Sequence, residues 1–212
     1  MTTETRAAIA AERRELAALL ASLTDRQWDA PTLCEGWRVR EVVAHMTMPY
    51  RYSTPKVLLG LLRARGSFDR LADRAARGDA ASLTADELVG SLADNVDHPW
   101  KPPGGGYAGA LSHDVIHGLD ITVALGLDRR VPADRMRMVL DGIHPRSLAY
   151  FGVDLTGISL RADDLDWTFG SGTTLSGAAQ DLMLGICGRI LPAGHLHGEP
   201  SERFTHAAHP VE

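Results

Sequence analysis

The stretch Gly109-Ala-Leu-Ser-His113-Asp-Val-Ile-His117-Gly-Leu-Asp120-Ile-Thr-Val-Ala-Leu-Gly126 decides how the chain is read. Its apolar residues run almost without a break, so it predicts a largely buried helix, from about Gly106 to Leu125. Gly126 follows as the residue that ends it. Into this apolar run the sequence sets two imidazoles one helical turn apart and a carboxylate one further turn on. His113, His117, Asp120 and Ala124 stand at i, i+4, i+7 and i+11, a single stripe down one face. Imidazoles at i and i+4 are about 5–6 Å apart and can address one metal ion. Taken alone, such histidines are more often hydrogen-bonded core residues, and a third ligand decides between the two. Asp114 follows His113 directly but points about 100° away around the helix, so it is not read as a ligand. Asp120 is read as an acceptor that orients a histidine from behind, or as a structural hydrogen-bonding group.

A third imidazole stands upstream. Arg38-Val-Arg-Glu-Val-Val-Ala-His45-Met predicts another helix, with Val39, Val42, Val43 and Met46 at i, i+3, i+4 and i+7. His45 lies beside that stripe, which makes it the best third ligand. The helix is expected to end or be interrupted at Pro49 and Pro55.

Other helices read as follows. Residues 4–22 present Ile9, Leu16, Leu19, Leu20 and Leu23. Thr24–Gln27 forms a capping box that opens a short turn through Trp28, and Thr84 with Glu87 forms a second one before a clear helix. Residues 55–65 and 68–77 are irregular helices, with Gly66 and Gly78 as breaks. Arginines between Arg63 and Arg77 alternate with Asp69, Asp73 and Asp79, as on a solvated face. Residues 98–106 are a Pro/Gly loop, and Pro132 suits the first turn of a helix to about Gly142. From about residue 150 the pattern alternates, which predicts a hairpin or short meander. A helix capped by Ser176 follows, with Leu182, Met183, Ile186 and Ile190 apolar, and His195–His197 suits a last strand. The expected architecture is mainly α: a helical bundle over 1–150, a small α+β domain over 151–200 and a loose tail over 201–212.

The whole chain is consistent with this. It has 212 residues, 44% hydrophobic and 23% charged, enough for a core without disulfides or a structural metal. The net charge of −5 comes without any basic run, which argues against nucleic acid as a partner. No stretch approaches about 18–20 apolar residues, and the N-terminus lacks the apolar core of a signal peptide. Two cysteines, Cys34 and Cys187, stand far apart, as suits a reducing cytoplasm. The Pro102–Tyr107 segment lacks a phosphate-loop Lys-Ser/Thr, and there is no Gly-x-Ser-x-Gly elbow. His195 and His197, with His206 and His209, are a weaker second cluster, lacking a partner at fixed spacing. His98 and His144 adjoin prolines and read as loop residues.

The segment Leu23–Met46, with Trp28, Pro31, Thr32, Cys34-Glu35-Gly36-Trp37 and Val39-Arg-Glu-Val-Val43 before His45, resembles the N-terminal signature of the mycothiol-dependent maleylpyruvate isomerase family. That family lies within the DinB/YfiT-like four-helix-bundle superfamily. His113–Gly126 resembles its second signature, and Leu160–Arg189 its small C-terminal domain. The resemblance implies a DinB-like four-helix bundle followed by a small α+β domain, with His45, His113 and His117 as metal ligands. In the isomerases the middle ligand is usually glutamate, so His113 removes one negative charge from the site. The implied cofactors are a divalent metal, zinc first, and mycothiol as thiol cosubstrate. The implied reaction is thiol addition to a small electrophile, ending in cis-trans isomerisation or S-transfer. A non-catalytic metal-binding protein on the same bundle is the alternative. The metal set is thus His45, His113 and His117, with Asp120 behind it. Arg189 is a candidate to bind a substrate or thiol carboxylate, or a structural residue at a helix end. Cys34 is read as packing and Cys187 as a small buried residue. Bundle faces of this type often pair, which makes a homodimer possible, though the sequence does not give the oligomeric state. A composition rich in Ala and Arg and poor in Lys fits a high-GC, actinobacterial source.

Overall fold

The computed structural model describes residues 2–206. It is mainly helical with one small sheet, and it forms two compact units that divide between Ile121 and Thr122. Among the described residues no helix is long and apolar enough to cross a membrane.

In the first unit, α1 (Thr2–Ala21) buries Ile9, Leu16 and Leu20, and it also buries Glu12 and Arg13. The Thr24 capping box opens α2 (Asp25–Trp28), whose Trp28 is buried. A loop leads to α3 (Val39–Arg51), where Val39, Val42, Val43 and Met46 are all fully buried, as their spacing requires. Pro49 does not end this helix. It sits in the last turn, where its missing N–H leaves only the His45 carbonyl without a helical donor. Next come α4 (Thr54–Arg63) and α5 (Phe68–Ser82). Gly66, at φ 78°, makes the break between them, whereas Gly78 lies inside α5, whose alanine face carries the helix past it. The Thr84–Glu87 capping box opens α6 (Ala85–Ala93), and a Pro/Gly loop leads to α7 (Gly106–Ala124). Gly126 ends α7 at φ 63°. Helix α3 packs on α5 and α6, and α1 packs on α6. Side chains tie α7 to α1 through Arg13 and Asp114, and to α3 through the histidines.

The expected solvated face of α5 is only partly so. Asp73 accepts the indole N–H of Trp37 at 2.8 Å, and Asp79 pairs with Arg51 at 2.8 Å. Both carboxylates thus tie α5 to the segment around α3.

In the second unit, Pro132 stands at the N-cap position of α8 (Ala133–Leu140), one residue before its first turn, and α9 (Pro145–Phe151) precedes the strands. These are β1 (Ile158–Ala162), β2 (Thr168–Gly170) and β3 (Thr173–Gly177), followed by α10 (Ala179–Ile186) and β4 (Leu196–His197). The sheet order is β2-β1-β3-β4, so the segment is not a meander. β1 and β2 form an antiparallel hairpin, but β3 runs parallel to β1 on its other side, pairing Leu160 with Leu175. The chain crosses the start of β1 through Ser171 and Gly172. Gly172 has φ 127° and lies so close to the Gly157 backbone that no Cβ would fit. Ser176 belongs to β3, and the residue at the N-cap of α10 is Ala178. Ile158, Leu160 and Leu175 are buried, and α10 packs on β1 and β3. Ile190 lies past the end of α10 and is exposed. Order continues beyond Ser201: Glu199–Arg203 is a 3-10 helix, Phe204 is buried, and Leu191 pairs with Thr205. His209 lies outside the described residues.

Candidate metal centre

The first unit brings His45 from α3 together with His113 and His117 from α7. Their ring centroids are 4.7–5.2 Å apart. One nitrogen of each ring falls within 4.8 Å of the others. The Nε2 atoms of His45 and His113 are 3.3 Å apart. Two nitrogens bound at about 2.0–2.1 Å to a tetrahedral ion stand about 3.3–3.4 Å apart. The same distance serves a hydrogen bond between two imidazoles. Such a bond does not call for a third imidazole on the same point, however, and His117 is there.

Two of the rings are held from behind. His113 Nδ1 is 2.9 Å from Asp114 Oδ1, and His117 Nδ1 is 3.0 Å from Asp120 Oδ2. A carboxylate only accepts, so each ring donates from Nδ1 and turns its Nε2 edge away from the carboxylate. This is the arrangement that fixes the tautomer of metal-bound histidines. Burial pushes His45 well below the usual imidazole range, and His117 and His113 push it the same way. His45 is therefore neutral near pH 7, the form a ligand needs. Its Nδ1 is buried and has no hydrogen-bond partner among the described residues.

Asp114, which the sequence reading set aside as a ligand, thus accepts a hydrogen bond from the His113 ring. The helical angle rules out a shared target for His113 and Asp114, but it does not stop a neighbouring carboxylate from reaching the ring's other nitrogen. Asp114 in turn accepts from Arg13 Nε at 2.7 Å. Arg13 also donates to the carbonyl of His98 at 2.9 Å, in the loop before Trp100. Ile9, Arg13, Leu16 and Leu20 stand at i, i+4, i+7 and i+11, so an arginine in the core stripe of α1 was a readable signal.

Cys34 is not merely packing. Its Sγ lies 2.9 Å from Asp120 Oδ2 and 3.7 Å from His117 Nδ1. Cys34, His117 and Asp120 form a second group of ligand-type atoms within 4.8 Å of one another. Trp37 and Trp100 frame the cluster, with ring centroids 5.2 Å from His45 and 5.1 Å from His113.

The remaining candidates lie elsewhere. Arg189 is in the second unit, half-buried just after α10, with Nη1 3.4 Å from the Cys187 carbonyl. Cys187 is a buried thiol. His195 Nδ1 is 3.2 Å from Asp181 Oδ2, and burial raises the pKa of that carboxyl against the pull of His195. Among the described residues His195, His197 and His206 join no metal-type cluster. His98 accepts the Trp100 backbone N–H at 3.2 Å, a turn role.

Comparison with known proteins reaches part of this site in sequence and the rest of the chain in fold only. Residues 9–99 match the family model described as the mycothiol maleylpyruvate isomerase N-terminal domain. That match contains Cys34, Trp37 and His45 but stops short of His113 and His117. No curated protein matches by sequence. A crystal structure of the mycothiol-dependent maleylpyruvate isomerase superposes with a TM-score of 0.59 at 13% identity, over 95% of this chain and 94% of that one. A histidine-to-alanine mutant of that isomerase gives 0.56 at 12% identity, with the same coverage. The chain resembles the mycothiol-dependent maleylpyruvate isomerase family, in sequence over residues 9–99 and in fold over 95% of its length.

Proposed function

We propose that His45, His113 and His117 hold one divalent cation, with zinc the best fit, and that the chain is a mycothiol-using enzyme acting on a small electrophilic substrate. The observation that carries this reading is the convergence of three imidazoles, two backed by carboxylates, at a spacing that suits a tetrahedral ion. The donor set fits: neutral nitrogens suit zinc, and three of them leave a fourth position for a sulfur or oxygen ligand. The ion would supply Lewis acidity, lowering the pKa of a thiol so that thiolate is available near neutral pH.

The residues of the chain do the rest. Asp114 and Asp120 keep His113 and His117 in the Nδ1–H tautomer, with Nε2 facing inward. Trp37 and Trp100 place aromatic rings beside His45 and His113. The same site serves thiol addition followed by isomerisation, and thiol transfer. His113 stands where the isomerases usually have glutamate and makes the site less negative by one charge.

The test is elemental analysis of tag-free protein beside His117→Ala, followed by thiol consumption with a small electrophile, with and without chelator. The expected result is about one metal per chain, lost in the variant, and thiol-dependent turnover that chelation stops. Metal-free wild type after incubation with zinc would overturn the metal reading. Turnover without thiol would overturn the thiol reading.

A further inference from the structure

We propose that Cys34 is a positioning residue for His117, acting through Asp120, and that the loop at residues 31–37 is built to hold it there. The inference deepens the metal reading of the same site and rests on it for its affinity arm only.

The Cys34 Sγ and the His117 Nδ1 address one oxygen, Asp120 Oδ2, at 2.9 and 3.0 Å. Sulfur, nitrogen and oxygen together look like a ligand set, but the distances speak against it. Around a tetrahedral zinc, a sulfur at about 2.3 Å and an oxygen at about 2.1 Å stand about 3.6 Å apart, and a nitrogen and an oxygen about 3.4 Å. Both separations to Asp120 Oδ2 are shorter than these, as for two donors meeting one oxygen, while Sγ and Nδ1 stand 3.7 Å apart. Cys34 is a donor to Asp120, not a second ligand.

The loop fixes the thiol from several sides. The Leu33 N–H donates to the Asp120 backbone carbonyl at 3.1 Å, so consecutive residues grip both ends of one aspartate. The Cys34 N–H donates to Thr32 Oγ1 at 3.2 Å, and the Trp37 N–H donates to the Cys34 carbonyl at 3.0 Å. Gly36, at φ 74°, permits that turn. Trp37 then lies 5.2 Å from His45. One loop therefore sets two of the three imidazoles, His45 by ring contact and His117 through a carboxylate. Asp120 is fully buried, and without the thiol its carboxylate loses a donor that defines its rotamer.

Two readouts test this, using Cys34→Ala, Cys34→Ser and, should alanine fail to fold, Cys34→Val. The first is the imidazole ¹⁵N spectrum of metal-free protein. His117 is expected as a single Nδ1–H tautomer in wild type and in the serine variant, which keeps a donor. In the alanine or valine variant it is expected as a mixture. The second is cobalt(II) affinity by competition. Alanine is expected to weaken it about tenfold, the low end of the 10–100-fold range for lost outer partners, and serine to restore most of it. Serine and alanine behaving alike, an unchanged His117 tautomer in alanine, or a thiolate-to-cobalt charge-transfer band in wild type would each overturn the proposal. Wild type that takes up no cobalt would sink the metal reading, while the tautomer comparison would still decide this one.

Discussion

Arg13 Nε lies 2.7 Å from Asp114 Oδ2, and neither side chain reaches solvent. The pair joins α1 to α7, and its carboxylate reaches His113 with its other oxygen at 2.9 Å. Removing one member leaves a buried charge without its partner, which costs about 3–5 kcal/mol. Arg13→Met and Asp114→Asn are each expected to destabilise the fold by that order. The double variant is expected to be less destabilised than the sum of the two. Urea midpoints of the four proteins give the coupling directly. Additive effects below about 1 kcal/mol would show the pair to be inert.

The helical elements were legible in sequence because local signals and core packing agree. Val39, Val42, Val43 and Met46 form one stripe and are buried as one stripe. The three histidines were legible for the same reason, since each lies on or beside a core face. What was not legible depends on contacts distant in sequence. Cys34 and Asp120 are 86 residues apart, and Arg13 and Asp114 are 101 apart. No periodicity carries such pairs. The parallel pairing of β3 with β1 was missed because two closely spaced strands usually continue as a hairpin or meander, and only Gly172 allows the crossing here. Pro49 and Gly78 were read as breaks from local propensity, which tertiary burial overrides.

The start of α3 should set an acid limit on stability. Burial alone would raise the pKa of Glu41. Hydrogen bonds from the Arg38 guanidinium and backbone N–H, with the Arg38 charge, outweigh it and hold the carboxyl below its usual 4.5. The folded protein therefore binds fewer protons here than the unfolded chain. Stability from Glu41 is full above about pH 4.5 and is lost as pH falls through the lowered folded value. Glu41→Gln is expected to be less stable than wild type at neutral pH, and the gap should close in acid. Denaturation midpoints across that range check it, and a gap independent of pH would refute it.

Position 36 should tolerate residues by backbone conformation rather than size. Gly36 has φ 74°, and a Cβ there would stand 3.3 Å from Arg77 Nη2, a mobile side-chain end. The left-handed backbone is then the main penalty, about 1–2 kcal/mol for alanine and less for asparagine. Thermal midpoints are expected in the order Gly, Asn, Ala, Val. Because Trp37 follows directly and lies against His45, its fluorescence should shift in the same order. Equal midpoints for asparagine and valine would count against the conformational account.

Zinc should stabilise the fold through the three histidines and through no others. An ion held by the folded protein alone adds RT ln(1 + [L]/Kd), about 2.7 kcal/mol at a hundredfold excess over Kd. At about 2–4 °C per kcal/mol for a chain of this size, the midpoint of the transition that contains the site should rise by about 5–10 °C. The rise should grow with the logarithm of free zinc and vanish in EDTA. His45→Ala and His117→Ala should abolish it, since each removes one converging nitrogen. His195→Ala should leave it intact, because His195 faces Asp181 at 3.2 Å and belongs to the second unit. Scanning calorimetry at several zinc concentrations measures all three proteins beside wild type. A zinc-dependent rise that survives loss of His117 but not of His195 would move the metal to the other unit and end the three-histidine reading.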